Sequence, residues 1–198
     1  MSQFSATPWP HLAALAEEEL LAQCDRSTNR TRGPGGQHRN KVESQVLLVH
    51  MGSGVAAQAS ERRSAVENQR VAIRRLRLAL AVEVRGAVPP GEVGSALWKS
   101  RVKAPAVKET TEEILPGVRV RVPGTRGGRI ECSPNHHDYP ALLAEALDVI
   151  CDAGWDIKRA AVRLGVSTSQ LLKLIKDHPP ALLRLNKERQ ARGEHTLK

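Results

Sequence analysis

The sequence predicts an α+β protein in which a small sheet or β-hairpin packs on one long helix, and a linker then leads to a small helical unit. Three observations support this prediction. Strand formers surround a turn over residues 44–60, apolar residues recur at helical spacing over 65–84, and five prolines fall within 86–128. A second helical pattern begins near Arg129.

The N-terminal residues predict little regular structure before a short helix. Residues 1–15 contain Pro8 and Pro10 and are expected to be flexible. Residues 16–23 read AEEELLAQ, with their acidic cluster where the positive end of a helix dipole favours it.

The central part of the chain predicts a hairpin followed by the long helix. Residues 44–50 are rich in strand formers, 51–54 offer turn residues and 55–60 form a weaker strand. Ser64 and Glu67 have the spacing of a capping box at the start of an amphipathic helix over 65–84. A solvated surface is the ordinary interpretation of the polar face, but its arginines, with little acid between them, favour an RNA-facing surface. These are Arg70, Arg74, Arg75, Arg77 and Arg85.

The second half of the chain predicts a linker and then helices. The linker contains a strand candidate at 118–122. Asp138 is expected to cap a helix with Pro140 in its first turn, and a further short helix is expected over 181–191. The predicted units are a flexible segment 1–15, a domain 16–85, a Pro/Gly-rich linker 86–128, and a helical domain 129–198 with a basic tail.

Residues 156–177 predict a helix, a turn at 164–166 and a second helix capped by Ser167. The segment 160–171 resembles the helix-turn-helix of DNA-binding proteins, with Thr168, Ser169, Gln170 and Lys173 on the second helix. An αα-corner whose glycine only permits the bend is the favoured interpretation over sequence-specific DNA reading. Docking to ribosomal RNA is a third interpretation.

Composition narrows the kind of partner. Lys and Arg number 30 against 21 acids, for a net charge of +9, which favours a polyanion, with nucleic acid ahead of an acidic membrane surface. Aromatic residues are 3% of the chain, so contacts should go through phosphates rather than stacked bases. Three scattered cysteines, no long apolar run and an acidic N-terminal cluster predict a cytoplasmic protein that does not enter membranes.

Residues 32–44 read RGPGGQHRNKVES and combine flexible backbone with positive charge. Gly35 and Gly36 can form a slim tip whose main-chain N–H groups face outward, which suits an anion or a developing oxyanion. Gln37 cannot act as a general base, so catalysis here would work by positioning and transition-state stabilisation. Nearby cations suit phosphates. They are Arg30, Arg32, Arg39 and Lys41. For the tripeptide alone, plain turn chemistry is the simpler interpretation.

The longer string changes this interpretation. The glycine segment, the strand ending at His50, the E-R-R-S at 61–64 and the basic helix resemble the catalytic domain of class I peptide chain release factors over residues 16–84. In that family a G-G-Q loop enters the ribosomal peptidyl transferase centre and hydrolyses the ester of peptidyl-tRNA. Arg39 departs from the pattern, because the family usually has valine there.

The resemblance implies roles for the matching residues. Gly35 and Gly36 would shape the loop, and the Gln37 N–H would stabilise the oxyanion or leaving oxygen while its side chain admits water. Methylation of Gln37 would make a glutamine methyltransferase a partner. The remaining matched residues would hold the loop base or touch ribosomal RNA. They are His38, Asn40 and Lys41.

No segment matches the codon-reading domain of full-length release factors, so we expect codon-independent rescue of stalled ribosomes by a monomer that needs no cofactor. The tail from Arg184 could sense an empty mRNA channel, and a solvated helix end explains it equally. The alternative function is a nucleic-acid-binding helix-turn-helix protein whose G-G-Q loop is structural. Cys132, His136, His137 and Asp138 match no zinc ligand spacing, and no metal site is predicted.

Overall fold

The computed structural model describes residues 10–30, 44–91, 93–104, 109–115, 118–123 and 127–197. After a 3₁₀ turn at Leu12–Ala14, the helices are α1 Glu17–Ala22, α2 Ala65–Glu83, α3 Ala96–Arg101, α4 Tyr139–Asp152, α5 Ile157–Arg163, α6 Thr168–Lys176 and α7 Pro179–Gln190. The strands are β1 Cys24–Asn29, β2 Gln45–His50, β3 Ala56–Ala59, β4 Val102–Lys103, β5 Glu109–Leu115, β6 Val118–Pro123 and β7 Arg129–Ile130. This mixture confirms the α+β class.

The first layer is an antiparallel sheet in the order β1-β2-β3. The predicted hairpin is therefore confirmed as β2 and β3, whereas β1 was not predicted. Its sequence, CDRSTN, is polar and mostly exposed, so it lacks the apolar alternation of a half-buried strand. Pairing with β2 makes this segment a strand, with Cys24 opposite His50 and Asn29 opposite Gln45.

Helix α2 lies between the sheet and the C-terminal helices. Leu76 and Leu80 pack with Val46 and Leu48 of the sheet, whereas Ala81 and Val82 belong to the core around α4. The predicted helix over 65–84 is confirmed, but the Ser64 side chain makes no capping hydrogen bond. The capping-box prediction is therefore wrong.

Helix α4 is apolar on almost every face because it is buried on almost every face. It contacts α2 on one side and α5 and α6 on the other. Tyr139 closes its N-terminal end, donating from its hydroxyl to the Leu174 carbonyl at 2.7 Å. Asp138 does not cap this helix with its side chain, contrary to prediction, because its carboxylate pairs with Arg101 instead.

The segment 86–128 was predicted to be a linker with little fixed structure, and this is wrong for residues 93–104. Trp98 of α3 is 2% exposed and donates from Nε1 to the Leu164 carbonyl at 3.0 Å. Ser95 donates from its N–H and its hydroxyl to the buried Glu145 carboxylate, both at 2.6 Å. Single apolar residues among prolines and glycines give no periodic signal, which is why sequence patterning missed this packing.

The elements after residue 104 agree more closely with the predictions from the sequence. The strand candidate at 118–122 is confirmed as β6, which pairs with β5. Strands β4 and β7 pair with each other in a separate two-stranded ribbon. The helices predicted over 156–177 and 181–191 are confirmed as α5, α6 and α7, and the Ser167 hydroxyl accepts from the Gln170 N–H at 3.3 Å.

The N-terminal segment was predicted to be flexible, and its described part, from Pro10, is instead packed. His11 is 2% exposed, accepts at Nδ1 from the Ala13 N–H, and places Nε2 3.1 Å from the Val84 carbonyl oxygen. Burial lowers the pKa of His11 to about 4, so the neutral ring donates from Nε2. The boundaries of the predicted units at 15, 85 and 128 stay predictions.

Among the described residues, no helix combines the length and the apolarity that crossing a bilayer requires.

Candidate functional site

The glycine segment connects two neighbouring strands of the sheet. Residues 31–43, which hold Gly35, Gly36, Gln37, Arg32, His38, Arg39, Asn40 and Lys41, lie outside the described residues. Their flanks are described: Asn29 and Gln45 are the last pair between β1 and β2, and exposed Arg30 follows β1. Because antiparallel partners lie about 5 Å apart, both ends of the segment leave the sheet at one point.

Asn68 of α2 holds the C-terminal base of this segment. Its fully buried side chain donates from Nδ2 to the Ser44 carbonyl at 2.5 Å and to the Arg62 carbonyl at 2.9 Å. Its Oδ1 accepts from the Arg62 N–H at 2.8 Å. One amide therefore ties the end of the loop and the 61–64 turn to the long helix.

Sequence analysis missed Asn68, although a signal was present. Asn68 occupies the stripe position between Ala65 and Ala72 on the face where Leu76 is also buried. A polar residue at an apolar stripe position indicates a buried side chain with hydrogen-bond partners.

We predict that Asn68→Ala lowers the free energy of unfolding by about 2–3 kcal/mol, because it leaves the buried Ser44 carbonyl and the partly buried carbonyl and N–H of Arg62 without their partner. Urea unfolding followed by circular dichroism measures this. The matched control is Gln69→Ala, one residue along the same helix, which should change stability by less than about 0.5 kcal/mol. Equal stability of the two variants would contradict the anchoring role.

Glu61 of the E-R-R-S string pairs with Arg75 of α2 near the end of β3. Its Oε1 lies 2.7 Å from Arg75 Nη1, and that guanidinium also donates to the Gln58 carbonyl at 2.8 Å. The hydrogen bond from Arg75 lowers the pKa of Glu61. Both side chains are about half exposed, so the pair contributes little to stability and mainly orients the end of β3.

The arginines of α2 do not form one surface. Arg74 donates to the carbonyls of the 134–136 turn, and Arg77 donates to the Ala13 carbonyl at 2.7 Å, with its pKa lowered by burial. Arg85 is buried, so its predicted place on an RNA-facing surface is wrong. Arg70 is exposed. RNA contact stays a prediction for Arg70, Arg74 and Arg77, while the guanidinium groups of the last two are engaged within the chain.

His50 lies at the far end of the sheet from the glycine segment. It pairs with Cys24, five residues or roughly 17 Å from the Asn29–Gln45 pair. Its Nδ1 is 2.8 Å from the Ser53 hydroxyl and its Nε2 is 3.2 Å from Gln23 Oε1. Burial lowers its pKa. His50 therefore fixes the 51–54 turn and does not reach the glycine segment.

The cluster of His136, His137 and Asp138 has its potential ligand atoms within 4.8 Å of one another. Arg101 already supplies a cation there, donating to Asp138 Oδ2 from Nε at 3.0 Å and from Nη2 at 2.5 Å. Arg101 Nη2 also lies 3.3 Å from His136 Nε2. Through these contacts the three residues close the turn before α4. The absence of a metal site stays a prediction.

Helices α5 and α6 are joined by a short turn, which fits both a helix-turn-helix and an αα-corner. Gly165 adopts a φ of +68° in the turn, and Val166 and Leu171 are buried inside. The basic tail folds back on α7: Asn186 exchanges hydrogen bonds with the Leu197 main chain at 3.0 and 2.8 Å. Arg184, Arg189 and Arg192 are ion-paired with acids of the chain.

Comparison with known proteins matches one part of the chain. A family model described as RF-1 domain matches residues 19–90, from within α1 through α2 and including the whole glycine segment. The C-terminal helices lie outside this match.

Individual relatives match the same region. Peptide chain release factor 1, mitochondrial, of Homo sapiens is 40% identical over 57 residues, covering 29% of this chain and 13% of that protein. Peptide chain release factor 1 of Ureaplasma parvum serovar 3 is 43% identical over 53 residues, 27% of this chain and 15% of the relative. Peptide chain release factor PrfB1, chloroplastic, of Arabidopsis thaliana is 41% identical over 68 residues, which cover 34% of this chain and 14% of that protein. The chain thus spans about one seventh of the length of these relatives.

Proposed function

We propose that this chain belongs to the class I peptide chain release factor family, whose RF-1 domain residues 19–90 match, and that it hydrolyses the ester of peptidyl-tRNA in the ribosomal peptidyl transferase centre. The observation that carries the proposal is the intact Gly35-Gly36-Gln37 string inside the matched segment, between two strands whose ends are held together. Asn68 and the sheet give this segment a fixed base from which a tip can extend.

The proposed chemistry needs no acid or base from the protein. The main-chain N–H of Gln37 stabilises the negative charge that develops as water attacks the ester carbonyl, or the leaving ribose oxygen. The Gln37 side chain admits water and excludes bulkier nucleophiles. Neither a metal nor an organic cofactor enters the proposal, and the ribosome supplies the rest of the site. Free peptidyl-tRNA should therefore be a poor substrate.

We further propose that release does not depend on a codon. Beyond the matched segment, helix α4 packs directly on α2, so the C-terminal helices stay close to the domain that bears the loop. Helices packed this closely on the loop-bearing domain do not extend away from it toward a decoding site, which favours rescue of stalled ribosomes.

The test compares ribosomes that carry labelled peptidyl-tRNA and differ only in the A-site message: truncated, a sense codon or a stop codon. We expect release from the truncated complex, with no gain from a stop codon. A rate that depends on the stop codon would contradict codon independence, and binding to DNA without release from any complex would favour the alternative helix-turn-helix function.

The proposal names partners and a compartment. The partners are the ribosome, peptidyl-tRNA and a methyltransferase acting on Gln37, and the chain is expected to act as a monomer. A cytoplasmic location is part of the proposal. Relatives named mitochondrial and chloroplastic show that the family itself does not specify one compartment.

A further inference from the structure

Helix α6 exposes a polar stripe that the proposed release chemistry does not use. Ser169, Lys173 and Lys176 are exposed and follow one another at i, i+4 and i+7, so they lie on one face of the helix. On α5, Lys158 and Arg159 are also exposed. We call these five residues the α5–α6 surface.

The charges of this surface are not compensated within the described part of the chain, where no carboxylate forms an ion pair with any of its four cations. The acids nearest in sequence are Asp156, which caps α5 by accepting from two N–H groups, and Asp177, which follows α6. On α7, by contrast, Arg184, Arg189 and Arg192 all have carboxylate partners. The four cations of the α5–α6 surface are therefore available to an external anion.

The surface is held rigidly. The turn between the two helices is pinned to the β4–β7 ribbon, since the Gly128 N–H donates to the Gly165 carbonyl at 2.8 Å and the Ser167 N–H donates to the Gly128 carbonyl at 3.1 Å. A Cβ added at Gly127 would lie 2.4 Å from the Val166 carbonyl carbon, so this close approach requires glycine. On the core side, the hydrogen bond from Trp98 Nε1 to the Leu164 carbonyl holds the end of α5 in place.

From this arrangement we propose that the α5–α6 surface binds the phosphate backbone of an RNA double helix of the ribosome. The inference rests on the proposed function, which brings the chain to a surface made largely of RNA. Lysine and hydroxyl groups suit phosphates, and a helix cannot enter the narrow major groove of an A-form duplex. With few aromatic residues for stacking, binding should be independent of base sequence and strongly dependent on salt.

The experiment measures fluorescence anisotropy of the full chain with a labelled 20-base-pair RNA duplex, a DNA duplex of the same sequence and one RNA strand, at several salt concentrations. The test variant is Lys173→Ala with Lys176→Ala. The control, Lys99→Ala with Lys187→Ala, removes the same charge from exposed lysines of α3 and α7. Circular dichroism melting checks that all three proteins fold equally. If the melting temperature of the test variant falls, Lys173→Gln with Lys176→Gln is used instead.

We expect the test variant to bind the RNA duplex about tenfold more weakly than the control and to lower the slope of log affinity against log salt by about 2, one for each lost phosphate contact. Affinity equal to that of the control, or tighter binding of the DNA duplex or the single strand by the wild-type chain, would overturn the inference. Gly36→Ala should bind the duplex like the wild type. A failure of peptide release with intact duplex binding would therefore count against the proposed function alone.

Discussion

Replacing Gly36 with alanine should reduce the rate of peptide release from stalled ribosomes about a hundredfold or more, while ribosome binding is kept. In the proposed role an added methyl group would restrict φ at Gly36 and block its close approach to the tRNA terminus. A displacement of about 1 Å, or the loss of one donor to a developing oxyanion, costs at least that factor in rate. The rate is measured in single turnover with excess protein, and binding by co-sedimentation with ribosomes.

The matched control for Gly36→Ala is Gly54→Ala. Gly54 lies in the turn beside His50, at the end of the sheet opposite the glycine segment, with a φ of +70° and nothing within 4 Å of an added Cβ. An alanine at this positive φ imposes backbone strain far from the glycine segment. We expect its release rate to stay within about twofold of the wild type. Similar losses in both variants would indicate that general destabilisation, not the loop tip, limits release.

The second large effect is expected at the buried ion pair between α2 and α4. Arg85 and Asp148 are 4% and 1% exposed, and Arg85 Nη1 donates to Asp148 Oδ1 at 2.9 Å. The Gly86 N–H donates to the same oxygen at 2.9 Å. We predict that Asp148→Ala lowers the free energy of unfolding by about 3–5 kcal/mol, because it leaves a buried guanidinium without its anion.

The two partners should not be equivalent. Burial raises the pKa of Asp148 to about 7 against the opposing influence of Arg85, whereas an arginine side chain does not deprotonate in proteins. Arg85→Met therefore leaves a carboxyl group that can take up a proton, and it should cost less than Asp148→Ala. In Arg85→Met the folded-state pKa of Asp148 should rise above its wild-type value of about 7. The loss of stability relative to the wild type is therefore largest above that raised pKa and shrinks as the pH falls to about 7, below which both proteins hold the proton.

Denaturant unfolding at pH 8 and pH 5 measures both effects. The control is Arg163→Met, which breaks the partly exposed pair with Asp152 and should cost no more than about 1 kcal/mol. If Asp148→Ala proved as mild as this control, the pair would not hold α4 on α2.

The sequence predicts best those elements that carry their own periodic signal. Strand β2 with its turn, helix α2 and the α5–α6 pair each show apolar spacing that the structure confirms. Strand β1 and the segment around Trp98 lack that spacing. They depend on partners distant in sequence, β2 for the first and Leu164 for the second, so only tertiary structure reveals them.

The same distinction applies to the candidate site, where some residues can be predicted from the sequence and others only from tertiary structure. Gly35, Gly36 and Gln37 can be proposed from the sequence because the chemistry resides in the residue types and their order, and their role stays a prediction. Asn68 was missed because its importance lies in hydrogen bonds to Ser44 and Arg62. Arg85 was assigned to a surface because helical spacing alone does not show that a second layer of helices covers the residues that follow α2.

The most direct test of the account compares hydrolysis of the same labelled peptidyl-tRNA free in solution and bound to the ribosome, in single turnover with the wild-type chain. Catalysis by main-chain positioning predicts rapid release on the ribosome and a negligible rate in solution. Equal rates with and without the ribosome, or no release on the ribosome by a folded chain, would contradict it.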